Sequence, residues 1–215
     1  MKILILGNGG REHSLIWAIS QNPKCQEIFC APGNAGINQI ATEAYFNILD
    51  KKQVVNFCIN KKIDLVIIGP EAPLTKGISD ALRNQGILAF GPSKAASMLE
   101  ASKTFTKEIC KIGKIPTATS KTFNNITEAS VHLTFCSYPI VIKADGLAAG
   151  KGVIIAENME TAVKTIKDIF GGKFGNAGNQ VLIEEFLEGE EASFFVLTDG
   201  KSFLPIGTAQ DHKRL

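Results

Sequence analysis

The sequence predicts an α/β protein built as two units, and three observations carry that reading. Four short, continuously apolar runs alternate with helical patterns in the first hundred residues, as strands of a parallel sheet covered on both faces must do. Each of these runs ends in a loop rich in Gly, Pro or Asn. From Thr117 onward the order changes to strand, helix, hairpin, helix, strand, which describes a smaller α+β unit. With 215 residues, 45% of them hydrophobic, the chain can bury one large core or two small ones, and two compact units fit the pattern better. The expected divisions are a parallel-sheet domain at 1–101, a helical linker at 102–120, a small α+β unit at 121–190 and a last segment at 191–215.

The first strand runs from Lys2 to Leu6, turns through Gly7-Asn8-Gly9-Gly10 and enters a helix from Arg11 to Ser20, with His13, Ile16, Trp17 and Ser20 on one face. His13 reads at least as well as a structural histidine as a catalytic one, and Trp17 reads as core. The second strand, Glu27 to Ala31, closes on Pro32-Gly33-Asn34-Ala35-Gly36. Asp50 caps a helix striped by Val54, Val55, Cys58 and Ile59. Asp64 to Ile68 is a third strand entering Gly69-Pro70-Glu71-Ala72-Pro73-Leu74, Thr75 starts a helix carrying Ile78, Ala81 and Leu82, and Ile87 to Phe90 is the fourth strand. Taken singly, these loops merely end strands. Four at one sheet edge point to a ligand crevice. Gly7 to Gly10 before a helix suits a phosphate, with Arg11 able to pair with it. A dinucleotide site is disfavoured, because G-x-G-x-x-G would need glycine where Glu12 stands, and no acid follows the second strand.

Ser93 and Ser102 each cap a helix, and Gly113 closes the second before Pro116. The small unit is expected as strand 119–123, helix 127–136, a hairpin, helix 160–170 and strand 180–184. The hairpin, Pro139 to Ile155, sets two β-branched runs around a loop with three glycines, Gly146, Gly150 and Gly152, and carries Lys143 and Lys151. Amides and ammonium groups can converge there on a strongly anionic ligand such as a nucleotide triphosphate, while a plain surface hairpin reads almost as well. Residues 171–179 look too polar and glycine-rich to pack and are expected to form a mobile flap. The strand ending in Glu184-Glu185-Phe186-Leu187 runs into further acids, including Glu191. Its default reading is a solvated charge run. Beside an ATP-sized pocket, residues 185–187 can read an adenine edge by backbone, and a following carboxylate can take the ribose hydroxyls. Asp199-Gly200 marks a hairpin turn, and the chain closes on Asp211-His212-Lys213-Arg214-Leu215.

Charge excludes some partners. With 23 basic and 21 acidic residues the formal net charge is +2 and the lysines are scattered, which argues against a nucleic-acid face. The five cysteines form no CxxC pair and are odd in number, so neither a zinc site nor a disulfide framework is suggested. No apolar run reaches membrane-span length, and a soluble cytoplasmic protein is expected.

The blocks GNGGREH (7–13), APGNAG (31–36), IDLVIIGPEAPL (63–74), FGPSK (90–94), SKTFTK (102–107), IVIKADGLAAGKGV (140–153), IEEFLEGEEASF (183–194) and AQDHKRL (209–215) together resemble the phosphoribosylamine–glycine ligases, also called glycinamide ribonucleotide synthetases, of the ATP-grasp superfamily. The hairpin and acidic blocks are shared in outline by ATP-grasp relatives, whereas the first three are specific to this ligase. The resemblance implies a Rossmann-like N-terminal domain (pre-ATP-grasp), the small ATP-grasp subdomain and the start of the large one. It implies that ATP phosphorylates glycine and that 5-phosphoribosylamine displaces phosphate from glycyl phosphate, giving glycinamide ribonucleotide and ADP in purine synthesis.

By resemblance, Lys143 reaches the α/β-phosphates, Lys103 also reaches the nucleotide, and Gly146, Gly150, Lys151 and Gly152 belong to the loop over the phosphates. Glu184, Glu185, Phe186 and Leu187 form the adenine hinge, with Glu191 on the ribose. Gly9, Gly10 and Arg11 above all, with Glu12, Asn34, Pro70 and Glu71, take the phosphoribosylamine. Asp211, Lys213 and Arg214, beside His212, join the catalytic set with Lys143. ATP and Mg²⁺ or Mn²⁺ are the implied cofactors, and a monomer is expected. The family's metal ligands follow the DHKR stretch, so none is expected in this chain. The resemblance spans about the first half of the family's length, and the 215 residues alone are expected not to turn over, as part of a longer protein or as a remnant. The alternatives are another ATP-grasp carboxylate–amine ligase and a non-catalytic nucleotide-binding fragment.

Overall fold

A computed structural model describes residues 1–148 and 151–210, the side chain of residue 176 aside. The first domain opens with β1 (Lys2–Gly7), α1 (Gly10–Ser20), β2 (Glu27–Pro32), β3 (Thr42–Glu43) and α2 (Lys51–Lys61). It continues through β4 (Leu65–Ile68), α3 (Glu71–Thr75), α4 (Ile78–Arg83) and β5 (Leu88–Phe90). All the strand pairs are parallel, in the order β3-β2-β1-β4-β5. Side chains alternate across β1. Ile3 and Ile5 pack with Ile16, Ile28 and Ile37 on one face, while Leu4 and Leu6 pack with Phe29, Val54, Val66 and Ile78 on the other. The doubly covered α/β class that the continuous apolar runs predict is the fold observed.

Local departures have physical reasons. Thr75 ends a helix rather than starting one: Pro73 sits in the first turn of α3, where proline is tolerated, and Gly77 at φ +77° separates α3 from α4. Trp17 is 60% exposed, and the inward face of α1 is instead Glu12 and Ile16. Ile59 also lies outside the buried stripe of α2, which Asp50 caps by accepting from the Lys52 and Gln53 amides. Burial pushes the Cys58 thiol on that stripe up to about 12. The fifth strand, β3, has two residues and so no readable period.

The short α5 (Met98–Ala101) leads to α6 (Lys103–Gly113), capped by the Ser102 hydroxyl on the Phe105 amide. Gly113 is the last helical residue, and Lys114 takes the left-handed cap at φ 53°. The second unit comprises β6 (Ser120–Phe123), α7 (Ile126–Leu133), β7 (Ile140–Ala144), β8 (Val153–Ala156), α8 (Met159–Asp168) and β9 (Val181–Glu185). Its antiparallel sheet has the order β6-β9-β7-β8. Asn125 and Asn158 cap its helices, two residues before each expected start. Ile140, Ile142, Val181 and Ile183 face Leu133, Ala162 and Ile166 of the helices. By alternation, Lys143 and Glu184 lie on the opposite sheet face.

The segment 171–179, expected not to pack, is wound into a π-helical turn at Ile169–Lys173 and a 3₁₀ turn at Gly175–Asn179. Ala177 is 8% exposed, and a Cβ at Gly178 would stand 2.4 Å from the Ile169 carbonyl. Missing side chains here permit packing. A last hairpin, β10 (Ser193–Thr198) and β11 (Phe203–Ala209), turns at Asp199, whose carboxylate accepts from the Lys201 and Ser202 amides. No described helix is long and apolar enough to cross a membrane.

Candidate functional site

The order β3-β2-β1-β4-β5 places the topological switch point between the carboxyl ends of β1 and β4, where open α/β sheets form their ligand crevice. The loops and helix starts after those strands carry Gly9, Gly10, Arg11, Pro70 and Glu71. Arg11 and Glu71 face each other across the crevice at 3.7 Å, with the guanidinium side chain 74% exposed. Asn34 ties in the loop after β2: its amide donates to the Asn8 carbonyl at 2.7 Å and its oxygen accepts from the Gly36 and Ile37 amides.

Glu12, which the resemblance sets beside the phosphoribosylamine, turns its side chain inward. Its side chain is 5% exposed, and its carboxylate accepts the Gly9 amide at 2.6 Å. A Cβ on Gly7 would come 2.7 Å from Glu12, and one on Gly69 would come 2.0 Å from its Oε1. Glu12 therefore fills the space that two glycines vacate. Burial, and then the Glu12 charge, push the neighbouring Cys30 thiol up to about 11.

The second cluster surrounds a cavity of about 470 Å³ lined by Lys103, Lys107, Lys143, Glu184 and Leu187 among others. Val141 pairs with Glu184 across β7 and β9, which makes Lys143 a diagonal neighbour of Glu184 on the same face. Lys143 Nζ lies 2.5 Å from Glu184 Oε2, and Lys107 Nζ lies 3.1 Å from Oε1. The Glu184 side chain is 4% exposed. Oε1 has no aligned hydrogen bond despite the nearby ammonium; Lys107 instead donates to Thr117 Oγ1 and the Ala118 carbonyl at 2.8 and 2.7 Å. The contact with Oε1 is thus one of charge rather than of donor geometry. A buried carboxylate needs a cationic partner, and here two lysines supply one from either side.

Lys107 was not among the sequence candidates. Its signal was the four-residue spacing from Lys103, which puts both ammonium groups on one helix face.

The remaining candidates fall into place as follows. Lys103 Nζ donates to the Gly146 carbonyl at 3.0 Å. Gly152 is buried and its carbonyl accepts the Ala144 amide at 2.8 Å, whereas Lys151 is exposed. The Glu185 carboxylate is engaged by the Thr119 amide at 2.7 Å. Phe186 and Leu187 are 37% and 62% exposed, and Glu191 is exposed ahead of the last hairpin. Gly150, Asp211, His212, Lys213 and Arg214 lie outside the described residues. Among the described residues no three His, Cys, Asp or Glu side chains come together as metal donors.

A doubly wound domain followed by an antiparallel sheet with a lysine-lined cavity defines a protein of the ATP-grasp class. Residues 1–100 match the N domain of phosphoribosylglycinamide synthetase, and residues 101–215 match its ATP-grasp (A) domain. The chain belongs to the phosphoribosylglycinamide synthetase family. It is 49% identical over 215 residues to the phosphoribosylamine–glycine ligase of Brucella melitensis, matching all of this chain and 50% of that protein. Against the Escherichia coli K12 ligase it is 49% identical over 218 residues, covering 51% of that protein. The crystal structure of the Thermotoga maritima ligase superposes with a TM-score of 0.81 at 30% identity, over 100% of this chain and 51% of the other. The chain spans about half the length of the curated relatives it matches.

Proposed function

We propose that this chain supplies the substrate crevice and the nucleotide-phosphate side of an ATP-dependent ligase that joins glycine to 5-phosphoribosylamine, as part of cytoplasmic purine synthesis. The observation that carries this reading is the convergence of Lys103 and Lys143 on one cavity beside the buried carboxylate of Glu184. When bound, ATP supplies the phosphoryl group that activates a carboxylate. The chain's own residues then bind and orient. Lys143 and Lys103 offer cationic partners for phosphate oxygens, and the cavity wall at Leu187 offers an apolar contact for a base. Concentrating charge stabilisation and excluding water are what phosphoryl transfer and a hydrolysable acyl phosphate demand. The crevice at Gly9, Gly10 and Arg11 is assigned to the phosphate of phosphoribosylamine. Mg²⁺ or Mn²⁺ is the expected companion of ATP, but the described residues offer no donor set for it, and no step is derived through it.

The test is thermal denaturation of this chain with ATP and, separately, with glycinamide ribonucleotide. Ligands of the native state raise stability by RT ln(1 + [L]/Kd), about 2.7 kcal/mol at a hundredfold excess over Kd. Stabilisation by both ligands is expected. No response to millimolar ATP would overturn the nucleotide assignment, and no response to the ribonucleotide would overturn the crevice assignment.

A further inference from the structure

Three consecutive residues at the start of α6 hold two consecutive residues that follow Lys143. The Ser102 hydroxyl donates to Asp145 Oδ2 at 3.0 Å, the Thr104 amide donates to Oδ1 at 3.1 Å, and between them Lys103 Nζ donates to the Gly146 carbonyl at 3.0 Å. The same Ser102 hydroxyl accepts the Phe105 amide at 3.1 Å, so its donor and acceptor capacities are both used. From the other side, the Asp145 amide donates to the Gln180 carbonyl at 3.1 Å. Gly146, at φ +126°, lies so close to residue 177 that a Cβ would stand 2.9 Å from the Ala177 Cβ.

Two consequences follow from this arrangement. The Thr104 amide already holds a carboxylate and the Phe105 amide is taken by the Ser102 hydroxyl, so this helix end is a poor seat for a phosphate despite the favourable dipole there. Anion recognition in the cavity then falls to lysine side chains, whose spacing depends on how α6 sits against β7. Lys103 lies between the two α6 residues that grip Asp145, and Lys143 lies two residues before Asp145 in β7 and its extension.

We propose that Asp145 is a positioning residue of the nucleotide site, fastening the stem of the glycine-rich loop to the first turn of α6 so that Lys103 and Lys143 share one frame. This rests on the nucleotide reading above. Asp145 itself touches no phosphate; it acts through the two lysines. Preorganised charge is worth more than the same charge on a wandering tether.

The experiment measures the affinity of this chain for ATP and for AMP, with Mg²⁺ present, by titration calorimetry. The variants are Asp145→Ala, Asp145→Asn, Lys103→Met and the double variant Lys103→Met/Asp145→Ala. The Asn variant keeps the shape while losing the charge, which guards against a folding failure in the Ala variant. Asp145→Ala is expected to weaken ATP by about tenfold, the scale of one charge-assisted hydrogen bond, and to weaken AMP, which keeps only the α-phosphate, by clearly less. In the double variant the Asp145 effect shrinks, because one of the lysines it positions is gone. Equal losses for ATP and AMP would make Asp145 a general structural residue and overturn the proposal. ATP affinity unchanged in both Asp145 variants would overturn it and leave the nucleotide reading standing. If the unaltered chain binds no ATP, the nucleotide reading falls and this proposal falls with it.

Discussion

Lys143 and Glu184 form a 2.5 Å ion pair between adjacent strands, with the carboxylate 4% exposed and the ammonium side chain 26% exposed. Glu184 has a second cation, Lys107, at 3.1 Å, so two lysines share one carboxylate and leave a positive excess facing the cavity. That excess is what an anionic ligand would meet. A phosphate that takes Lys143 leaves Glu184 paired with Lys107 and so never isolated.

Replacing Lys143 by Ala is therefore expected to weaken ATP binding by about tenfold to a hundredfold, the value of a hydrogen bond to a charged partner, with the fold retained. Replacing Glu184 by Ala is expected to do the reverse, leaving two cations unbalanced and costing about 2 kcal/mol of stability. That lies below the range for a fully buried pair because both lysines keep solvent access. Calorimetric ATP titration and urea unfolding separate the two effects. Unchanged ATP affinity in Lys143→Ala would remove that lysine from the site.

A second prediction comes from Gly69 and Glu12. The Gly69 backbone is not left-handed, so what forbids a side chain there is the Glu12 carboxylate 2.0 Å from the position of a Cβ. Gly69→Ala is expected to destabilise by about 2 kcal/mol, as overpacking does. Glu12→Ala is expected to destabilise too, by losing the Gly9 hydrogen bond and leaving a void. The double variant should then lose at least ~1 kcal/mol less than the two single losses combined, because removing Glu12 makes room for the methyl group. Simple additivity in urea unfolding would show that the two residues do not compete for space.

Much of the architecture could be read from residues alone, and the failures share a cause. Ile3 to Leu6 and Val66 to Ile68 announce buried parallel strands because both faces are apolar. Asp50 and Ser102 announce helix starts because a capping oxygen needs no tertiary partner. Glu12 misled because a carboxylate was assumed to face the crevice; only the glycines of two other loops show that it turns inward. Lys107 carries only the weak signal of its four-residue spacing from Lys103, since a lysine on an amphipathic helix is ordinarily solvated; the sheet carrying Glu184 is what marks it out. Contacts formed within a few residues were legible. Those closed by distant segments, such as the grip of α6 on Asp145, were not.

The last prediction concerns pH. His132 stacks on Phe123 with ring centroids 5.0 Å apart, and Lys121 lies over that same Phe123 ring at 5.4 Å. Burial, and then the Lys121 charge, hold its imidazole below the ordinary value of 6.5. A histidine whose folded value is depressed binds its proton more readily in the unfolded chain, so protonation favours unfolding. Its contribution to stability is full above the unfolded value and is lost as pH falls from about 6.5 to the folded value. Below that it changes no further. His132→Gln removes the titration, so its melting temperature should fall less than that of the unaltered chain between pH 7.5 and pH ~5.5, a window above the main carboxylate titration. Parallel melting curves for the two proteins across that window would show that His132 titrates as it does in the unfolded chain.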